Sequence, residues 1–362
     1  MIKRVLILFL IIFGFTSVKA QLTVSTGAMT PTQYVQNVLV GSGVTVSNVT
    51  FSGDNNQIGE FNATNTVPYI GLDEGIIMAT GDVNVAVGPN DGGGVQLGGG
   101  NFGAGDNDLD VLEGSGIGTN DAAILEFDFV PVGDTVKFKY VFASEEYPEY
   151  VNQINDIFGF FLSGPGVSGP FSGGAANIAL VPGSSTPISI NTVNSGANPS
   201  YYVDNTPFTS NQTIQFDGYT TVLTAISAVE CGETYHIKIA IADASDDEWD
   251  SGVFLEAGSF SSNTITLNSN IDVSTGDSLL YEGCGTAYID FERNDDTDTS
   301  VFYYNIFGDM SIADYTVNKD SLVFLPGESV VTLDFEALED NTVEPLEQVN
   351  IEIIQVICGV AD

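Results

Sequence analysis

Basic residues are scarce in this chain of 362 residues, which carries 8 Lys and Arg against 48 Asp and Glu. Three of the eight (Lys3, Arg4 and Lys19) precede residue 21, so residues 21–362 hold five basic residues against all 48 acidic ones. Such a surface repels phosphate backbones and anionic lipids, which excludes nucleic-acid binding and polybasic docking to membranes. Because so many carboxylates suit a hard divalent cation, Ca²⁺ is the cofactor that the composition favours.

Histidine and cysteine are almost missing as well, which disfavours nucleophilic catalysis and zinc binding. The single histidine, His236, lies in a strand-like run in which Tyr235, Ile237 and Ile239 share the opposite face. We therefore predict that His236 is a cross-strand or surface residue, and we predict no catalytic residue. Since 43% of the chain is hydrophobic and 10% aromatic, it is not a disordered acidic tail.

The three cysteines, Cys231, Cys284 and Cys358, allow three pairings. Cys284 and Cys358 both fall in the C-terminal segment, so we favour a disulfide between these two. This choice leaves Cys231 as a free thiol.

The only long apolar run is Val5–Val18, which follows the basic residues Lys3 and Arg4. It is followed by Val18-Lys19-Ala20, and this arrangement predicts a secretory signal peptide over 1–20, cleaved after Ala20. A retained anchor is the alternative, although the run is short for a spanning helix. We therefore expect a secreted or outer cell-surface protein with no transmembrane segment in the mature chain.

Helix signals are rare, whereas runs of alternating polarity separated by Gly, Pro, Asn and Asp recur throughout, which indicates an all-β protein. One helix is predicted at 30–39, with Thr30 as its cap and Pro31 in its first turn. Residues 122–143 read as a β-hairpin that places Asp128 opposite Lys137 and Glu126 opposite Lys139. The glycine-rich residues 88–106 are predicted to form a long surface loop, and the polar break near residue 262 marks a domain boundary.

Clustered carboxylates are the candidate functional groups. Glu145, Glu146 and Asp156 follow the second predicted hairpin strand, Asp243 and Asp250 separate two later strands, and a third cluster covers 106–110. Acidic groups this close repel one another unless a cation or solvent relieves the repulsion, so each cluster is either a Ca²⁺ site or a solvated loop. A glycosidase pair that joins Glu145 or Glu146 to Asp156 or Asp243 is a further alternative. Aromatic side chains that could stack on a sugar are Tyr147, Tyr150, Tyr201, Tyr202 and Trp249.

Several ordered blocks together resemble the choice-of-anchor L domain over about residues 22–262. They are Phe142–Glu149, Asn155–Phe161, Ile190–Asn194, Tyr201–Asn205, Asp217–Ala225, Ile241–Ala244 and Asp250–Glu256. The resemblance implies an exported, cell-surface or secreted bacterial protein, of a kind found in gliding bacteria that use type IX secretion. It brings no catalytic residues, and it supports an unpaired Cys231.

The following segment resembles a Calx-β domain. The resemblance lies in Tyr281–Gly283, Ala287–Arg293, Leu325–Glu328 and Glu339–Asn341, together with the alternation of Val331, Leu333, Phe335 and Ala337. In that family, acidic residues at one end of the sandwich can bind Ca²⁺. The matching positions here are Glu282, Asp314, Asp340 and Glu344.

The sequence thus predicts a large jelly-roll-type β-sandwich over 21–262, followed by an immunoglobulin-like, Calx-β-like sandwich over 263–362. Its predicted function is that of an exported, non-enzymatic scaffold for adhesion or gliding-associated attachment, stabilised by Ca²⁺. The expected partner is an extracellular or cell-surface glycan or protein. The alternative is a lectin-like protein or a glycoside hydrolase that uses the loop of Glu145 and Glu146. Whether a sorting or anchoring segment follows residue 362 stays open.

Overall fold

The computed structural model describes residues 21–64, 70–90, 92–98, 102–206, 214–262, 265–266, 271–273, 279–293, 299–339, 345–354, 356–357 and 360–361. The predicted signal peptide over 1–20 lies outside the described residues. So do two of the predicted calcium ligands, Asp340 and Glu344, and the cysteine Cys358. The protein is all-β, as predicted, and its described strands form antiparallel sheets without a closed barrel.

Fourteen strands build the part of the chain that ends at residue 262. They are β1 (Thr23–Thr26), β2 (Val44–Ser52), β3 (Ile58–Asn62), β4 (Glu74–Ala79), β5 (Thr119–Pro131), β6 (Thr135–Ser144), β7 (Ile157–Ser163), β8 (Ala176–Asn177), β9 (Tyr202–Asp204), β10 (Gly218–Thr220), β11 (Leu223–Ala228), β12 (Tyr235–Ala244), β13 (Ser251–Glu256) and β14 (Ser261–Ser262). One sheet has the order β1-β3-β4-β13-β6-β10-β9, with β11 and β14 also paired to β6. The other has the order β2-β5-β12-β7-β8.

The largest hydrophobic core contains the inward-facing residues of both sheets. Phe138 of β6 and Phe160 of β7 meet edge to face, with ring centroids 4.5 Å apart. Phe260 lies beside Phe127, Phe129 and Phe138, so the residue just before β14 closes this core. Burial of this aromatic cluster is the main force that holds the two sheets together.

The predicted hairpin over 122–143 is wrong in its pairing, although its two strands exist. β5 pairs with β2 and β12, whereas β6 pairs with β10, β11, β13 and β14, so the two strands lie in different sheets. Asp128 therefore contacts His236 (2.8 Å) and Lys139 contacts Glu256 (3.1 Å). The alternating pattern predicted which side chains are buried, but an arch between two facing sheets has the same pattern as a hairpin.

Helical structure is short in the described residues. A first turn α1 (Pro31–Gln33) is capped by Thr30 and continues as a π-helical segment (Tyr34–Leu39), which confirms the predicted helix. The helix α2 (Asn107–Glu113) has Asp106 as its cap. Four 3₁₀ turns complete the set: Asn55–Gln57, Val83–Ala86, Ser172–Gly174 and Pro199–Tyr201.

Ten strands follow residue 262, and none of them pairs with an earlier strand in the described part of the chain. They are β15 (Ile265–Thr266), β16 (Ile271–Val273), β17 (Ala287–Arg293), β18 (Ser300–Gly308), β19 (Tyr315–Val317), β20 (Leu322–Phe324), β21 (Val330–Ala337), β22 (Val349–Ile354), β23 (Val356–Ile357) and β24 (Val360–Ala361). One sheet has the order β15-β17-β21-β19, with β16 on β17, and another has the order β20-β18-β22. Val331, Leu333, Phe335 and Ala337 are buried on β21, as their alternation predicted.

The predicted disulfide between Cys284 and Cys358 is wrong, because Cys284 is an exposed free cysteine. Cys231 is disulfide-bonded, and the prediction of a free thiol at this position is therefore also wrong. Cys284 closes a tight turn in which its N–H donates to the Tyr281 carbonyl oxygen (3.0 Å). The position of a cysteine along the chain does not determine which thiols meet in space, and the prediction rested on position alone.

Candidate functional site: a buried acidic end

Seven buried carboxyl groups lie at one end of the first sandwich, close to the ends of strands from both sheets. They are Asp121, Glu145, Glu146, Asp156, Asp217, Asp243 and Asp250, and each is at most 3% exposed. In the described part of the chain, no Lys, Arg or His forms an ion pair with any of them. Five of the seven were predicted as metal ligands from the sequence. We call this group the acidic end.

Glu145 and Glu146 follow β6 directly, and their side chains meet different neighbours. Burial, and then the charge of Asp217, raise the pKa of Glu145 to about 9. Burial and the nearby Asp156 raise the pKa of Glu146 to about 9 as well. The N–H groups of Val95 and Gly94 and the Gln215 side chain face the Glu145 carboxylate and moderate the rise of its pKa, whereas Oε2 of Glu146 lacks a hydrogen-bond partner. The two adjacent glutamates thus belong to separate parts of the acidic end.

Asp156 and Asp243 form the centre of the part that Glu146 faces. Asp156 accepts hydrogen bonds from the Ala244 N–H (3.0 Å) and the Ser251 hydroxyl (2.7 Å). Burial raises its pKa to about 7, and burial together with the charge of Asp156 raises the pKa of Asp243 further above its usual range. Oδ1 of Asp243 has no partner. Without a cation, this pair avoids mutual repulsion by retaining a proton.

The described parts of the glycine-rich segment, 88–90, 92–98 and 102–106, contact the acidic end, where the sequence predicted only a surface loop. The Leu97 N–H donates to Oδ2 of Asp250 (2.8 Å), and the Gly103 N–H donates to Oδ1 of Asp121 (2.7 Å). Burial raises the pKa of Asp250 to about 7 despite this hydrogen bond. Backbone amides of the loop thus replace part of the solvation that these carboxylates lose.

Asp217 was not predicted as a site residue, although it lies in a block that resembles the choice-of-anchor L domain. Its Oδ1 accepts a hydrogen bond from the Asn90 side chain (2.6 Å), and Asn90 also donates to the Asn205 carbonyl oxygen (2.7 Å). Burial raises the pKa of Asp217 to about 6. An isolated acid just before a strand gives no signal in the sequence, because only the fold places it beside Glu145.

The third acidic cluster, over 106–110, has one basic partner in the described ion pairs. Lys238 of β12 forms ion pairs with Asp106 and with Asp108 (2.9 Å), and its side chain is only 12% exposed. Asp110 accepts from the Thr119 hydroxyl (2.7 Å). Asp106 caps α2, and Lys238 compensates one of the three negative charges of this cluster.

The described residues of the second predicted calcium site do not resemble the first. Glu282 is exposed, and Asp314 accepts from the Ser311 N–H (2.7 Å) within its own turn. Across all described residues, no three His, Cys, Asp or Glu side chains are arranged to hold a metal ion. A cation at the acidic end would therefore need carbonyl oxygens or water beside the carboxylates, which Ca²⁺ accepts readily.

The aromatic candidates for sugar binding are engaged within the protein. Tyr147 is buried and donates to the Val193 carbonyl oxygen (2.6 Å), and it packs against Tyr202. Trp249 is partly exposed and meets Tyr150 edge to face at 4.6 Å. The candidate glycosidase carboxylates Glu145, Glu146, Asp156 and Asp243 are shielded from solvent. A cavity of about 520 Å³ lies elsewhere, beside β1, β3 and β4.

The chain up to residue 262 is thus an all-β sandwich protein whose clustered acids are buried. The family model of the choice-of-anchor L domain matches residues 23–261, and the chain belongs to this family. Membership indicates a surface-anchored or secreted protein, and the family is not known as enzymatic.

No family match supports the resemblance of the following segment to a Calx-β domain. No curated protein matches the chain. Among the described residues, no helix combines the length and the apolar character needed to cross a membrane.

Proposed function

We propose that this protein is an exported, non-enzymatic scaffold that serves in adhesion or gliding-associated attachment at the cell surface and is stabilised by Ca²⁺. One observation carries the calcium part of the proposal. Glu146 and Asp243 each have a buried carboxylate oxygen without a hydrogen-bond partner, and both residues lie beside Asp156. In the described part of the chain, no basic side chain forms an ion pair with them. Burying a carboxylate without compensation is costly, so each group must keep a proton or meet a cation.

The proposed carboxylate ligands at this position are the paired Asp156 and Asp243, with Glu146 and Asp250 as nearby charges, because no three acidic side chains of the described residues are arranged around one ion. Asp156 and Asp250, whose pKa values are about 7, lose their protons readily at the pH of most exterior media, whereas Ca²⁺ would have to displace a proton near Glu146, whose pKa is about 9. A Ca²⁺ ion requires six to eight oxygens, and backbone carbonyls and water would complete the set. Binding only to the folded state would raise the stability of the sandwich, in proportion to the logarithm of the ion concentration.

Thermal unfolding of the mature chain tests this proposal. We expect the midpoint to rise when about 1 mM CaCl₂ replaces EDTA, a concentration at which extracellular Ca²⁺ modules bind, and to rise less with MgCl₂. An unchanged midpoint with CaCl₂ would contradict the calcium part of the proposal.

A pair of variants locates the effect. Asp156→Asn and Asp243→Asn should each abolish most of the calcium-dependent rise, because each removes a charge from the proposed ligand set. Glu233→Gln, at an exposed position on a turn, is the matched control and should keep the full rise. Equal responses of all three variants would show that Ca²⁺ acts elsewhere. Asp314→Asn separately tests the predicted site that includes Glu282, Asp340 and Glu344.

Export and adhesion need their own measurements. Sequencing the N-terminus of the protein recovered from outside the producing cells should give Gln21 as the first residue. Beads coated with the mature chain should attach to cells or to glycan-coated surfaces in Ca²⁺ and detach in EDTA. An intact N-terminus inside the cells would contradict export. Beads that attach no better than uncoated ones would contradict the adhesion part.

A further inference from the structure

The cavity of about 520 Å³ beside β1, β3 and β4 shares no lining residue with the acidic end. One of its walls is the edge of the first sheet, and the other is formed by residues in and just before the helical segment, Met29, Asn37 and Val38. We call it the edge cavity. A ligand can enter it from solvent, because five of its lining residues are exposed: Thr23, Ser25, Asn37, Asn62 and Glu74.

Two glutamates line the edge cavity from one face of the sheet. Asn62 of β3 pairs with Glu74 of β4, and Glu60 lies two residues before Asn62, so these three side chains project from the same face. Glu60 and Glu74 are thus diagonal neighbours, whose Cβ atoms lie roughly 7 Å apart. In the described part of the chain, no basic side chain lines the cavity or forms an ion pair with either glutamate. Two carboxylates in this arrangement repel each other and attract a cationic group that fits between them.

The remaining lining favours an organic cation over a metal ion. Met29, Val38 and Ala257 provide aliphatic surface, which a metal ion would leave unused. A Ca²⁺ ion also requires six to eight oxygens, and no three acidic side chains of the described residues are arranged around one ion. A lysine or arginine side chain combines a charged end for the glutamates with an aliphatic stem for this surface.

The strand beside the edge cavity has a free edge. In the described part of the chain, β1 pairs with β3 alone and ends the order of its sheet. Thr23 and Ser25 of β1 lie opposite Asn62 and Glu60, so they project to the face on which the cavity lies. An unpaired strand edge is a template for a further strand from another chain. Alternate side chains of such a strand would project to the same face as Thr23 and Ser25 and reach the cavity.

We propose that the edge cavity binds a lysine or arginine side chain of an extended peptide from a partner protein, which adds to β1 as a further strand and places its charged end between Glu60 and Glu74. Residues 21–362 hold five basic residues against 48 acidic ones, so a basic segment is also attracted at long range. The inference deepens the adhesion part of the proposed function, on which it rests only in placing the partner outside the cell. It does not depend on Ca²⁺.

Fluorescence anisotropy of a labelled Thr-Val-Lys-Val-Thr peptide tests the proposal with the mature chain in EDTA. We expect saturable binding at or below about 1 mM, the range of weak recognition, and slower hydrogen exchange over 23–26 in the complex. The same peptide with norleucine in place of lysine keeps an aliphatic stem without the charge, so it should bind about tenfold more weakly. N-methylation of the peptide amides prevents addition to a strand edge and should abolish binding.

Variants of the two glutamates locate the bound charge. Glu60→Gln and Glu74→Gln should each weaken binding of the lysine peptide by about tenfold, the effect of one lost charged hydrogen bond, and leave binding of the norleucine peptide unchanged. Circular dichroism should show the same fold for both variants, because neither glutamate is buried. Glu233→Gln, at its exposed turn, is the matched control and should bind the lysine peptide like the wild type.

The proposal fails if the lysine peptide shows no saturable binding, if the norleucine peptide binds equally well, or if all three variants bind alike. Binding of the N-methylated peptide, or of N-acetyl-lysine amide, as tight as that of the lysine peptide would also overturn it, because neither can add a strand to β1. The calcium part of the proposed function is not involved, since all measurements are made in EDTA. Coated beads that attach to cells while the peptide does not bind would contradict this class of partner and leave the adhesion part intact.

Discussion

At the scale of single residues, positive charge is scarce, and Lys139 and Lys238 form ion pairs with acidic side chains in the described part of the chain. Lys238 is the clearest example, since it is nearly buried between Asp106 and Asp108. Lys238→Met should destabilise the protein by about 3 kcal/mol, because it leaves two buried carboxylates without their counter-ion. Urea unfolding monitored by circular dichroism measures the change.

The control for this prediction is Lys139→Met, which removes an exposed ion pair with Glu256. Such pairs contribute about 1 kcal/mol or less. Similar losses for both variants would show that the burial of Lys238 has no energetic consequence.

The cysteines give a second prediction at this scale. Iodoacetamide should label Cys284 in the folded, non-reduced protein, because this thiol is exposed and free, and it should label Cys231 only after reduction. Peptide mass spectrometry distinguishes the two positions. Label on Cys231 before reduction would contradict the observed bonding.

At the scale of secondary-structure elements, Phe260 connects the end of the family match to the core. Its ring contacts those of Phe127, Phe129 and Phe138, and its carbonyl oxygen accepts from the Gly41 N–H (2.9 Å). Phe260→Ala should lower the free energy of unfolding by about 4 kcal/mol, the usual loss for a buried aromatic side chain.

Ile226→Ala on β11 is the control, since this side chain is 52% exposed. Its effect should stay within about 0.5 kcal/mol, as for most surface substitutions. If Phe260→Ala were equally mild, the contact between the sheets near residue 260 would not stabilise the sandwich.

The arch between β5 and β6 shows where prediction of elements from sequence ends. The positions of Phe127, Phe129, Phe138 and Tyr140 in the core followed from alternation alone, and all four are buried. Their pairing did not follow, because alternation reports which face of a strand is buried and not which strand lies beside it. The ladder partner of Asp128 on β12 is His236, 108 residues further along the chain.

At the scale of the whole molecule, the acidic end couples stability to pH. Burial raises the pKa of Glu145 and Glu146 to about 9 from their ordinary value of 4.5, and that of Asp156 to about 7 from 3.8. The folded state therefore holds more protons than the unfolded state between these limits. The contribution of these three groups to the free energy of unfolding is fully present below about pH 4 and is lost as the pH rises towards 9.

In EDTA, we thus expect the unfolding midpoint to fall steadily from about pH 5 to pH 9. In CaCl₂ the fall should be much smaller, since the ion replaces the protons and binds more tightly as they leave. Differential scanning calorimetry across this range measures both curves. Parallel curves with and without Ca²⁺ would contradict replacement of protons by the ion.

The sequence by itself determined the all-β class, the helix capped by Thr30, the buried faces of β5, β6, β12 and β21, and the membership in the choice-of-anchor L family. These properties depend on composition and on patterns among residues that are close together in the sequence. Only the tertiary structure decided that Glu145 and Glu146 face different neighbours, that Asp217 lies beside Glu145, and that Lys238 lies between Asp106 and Asp108. Such groupings depend on which strand ends meet in space, and burial then sets the charge that each carboxyl group can hold.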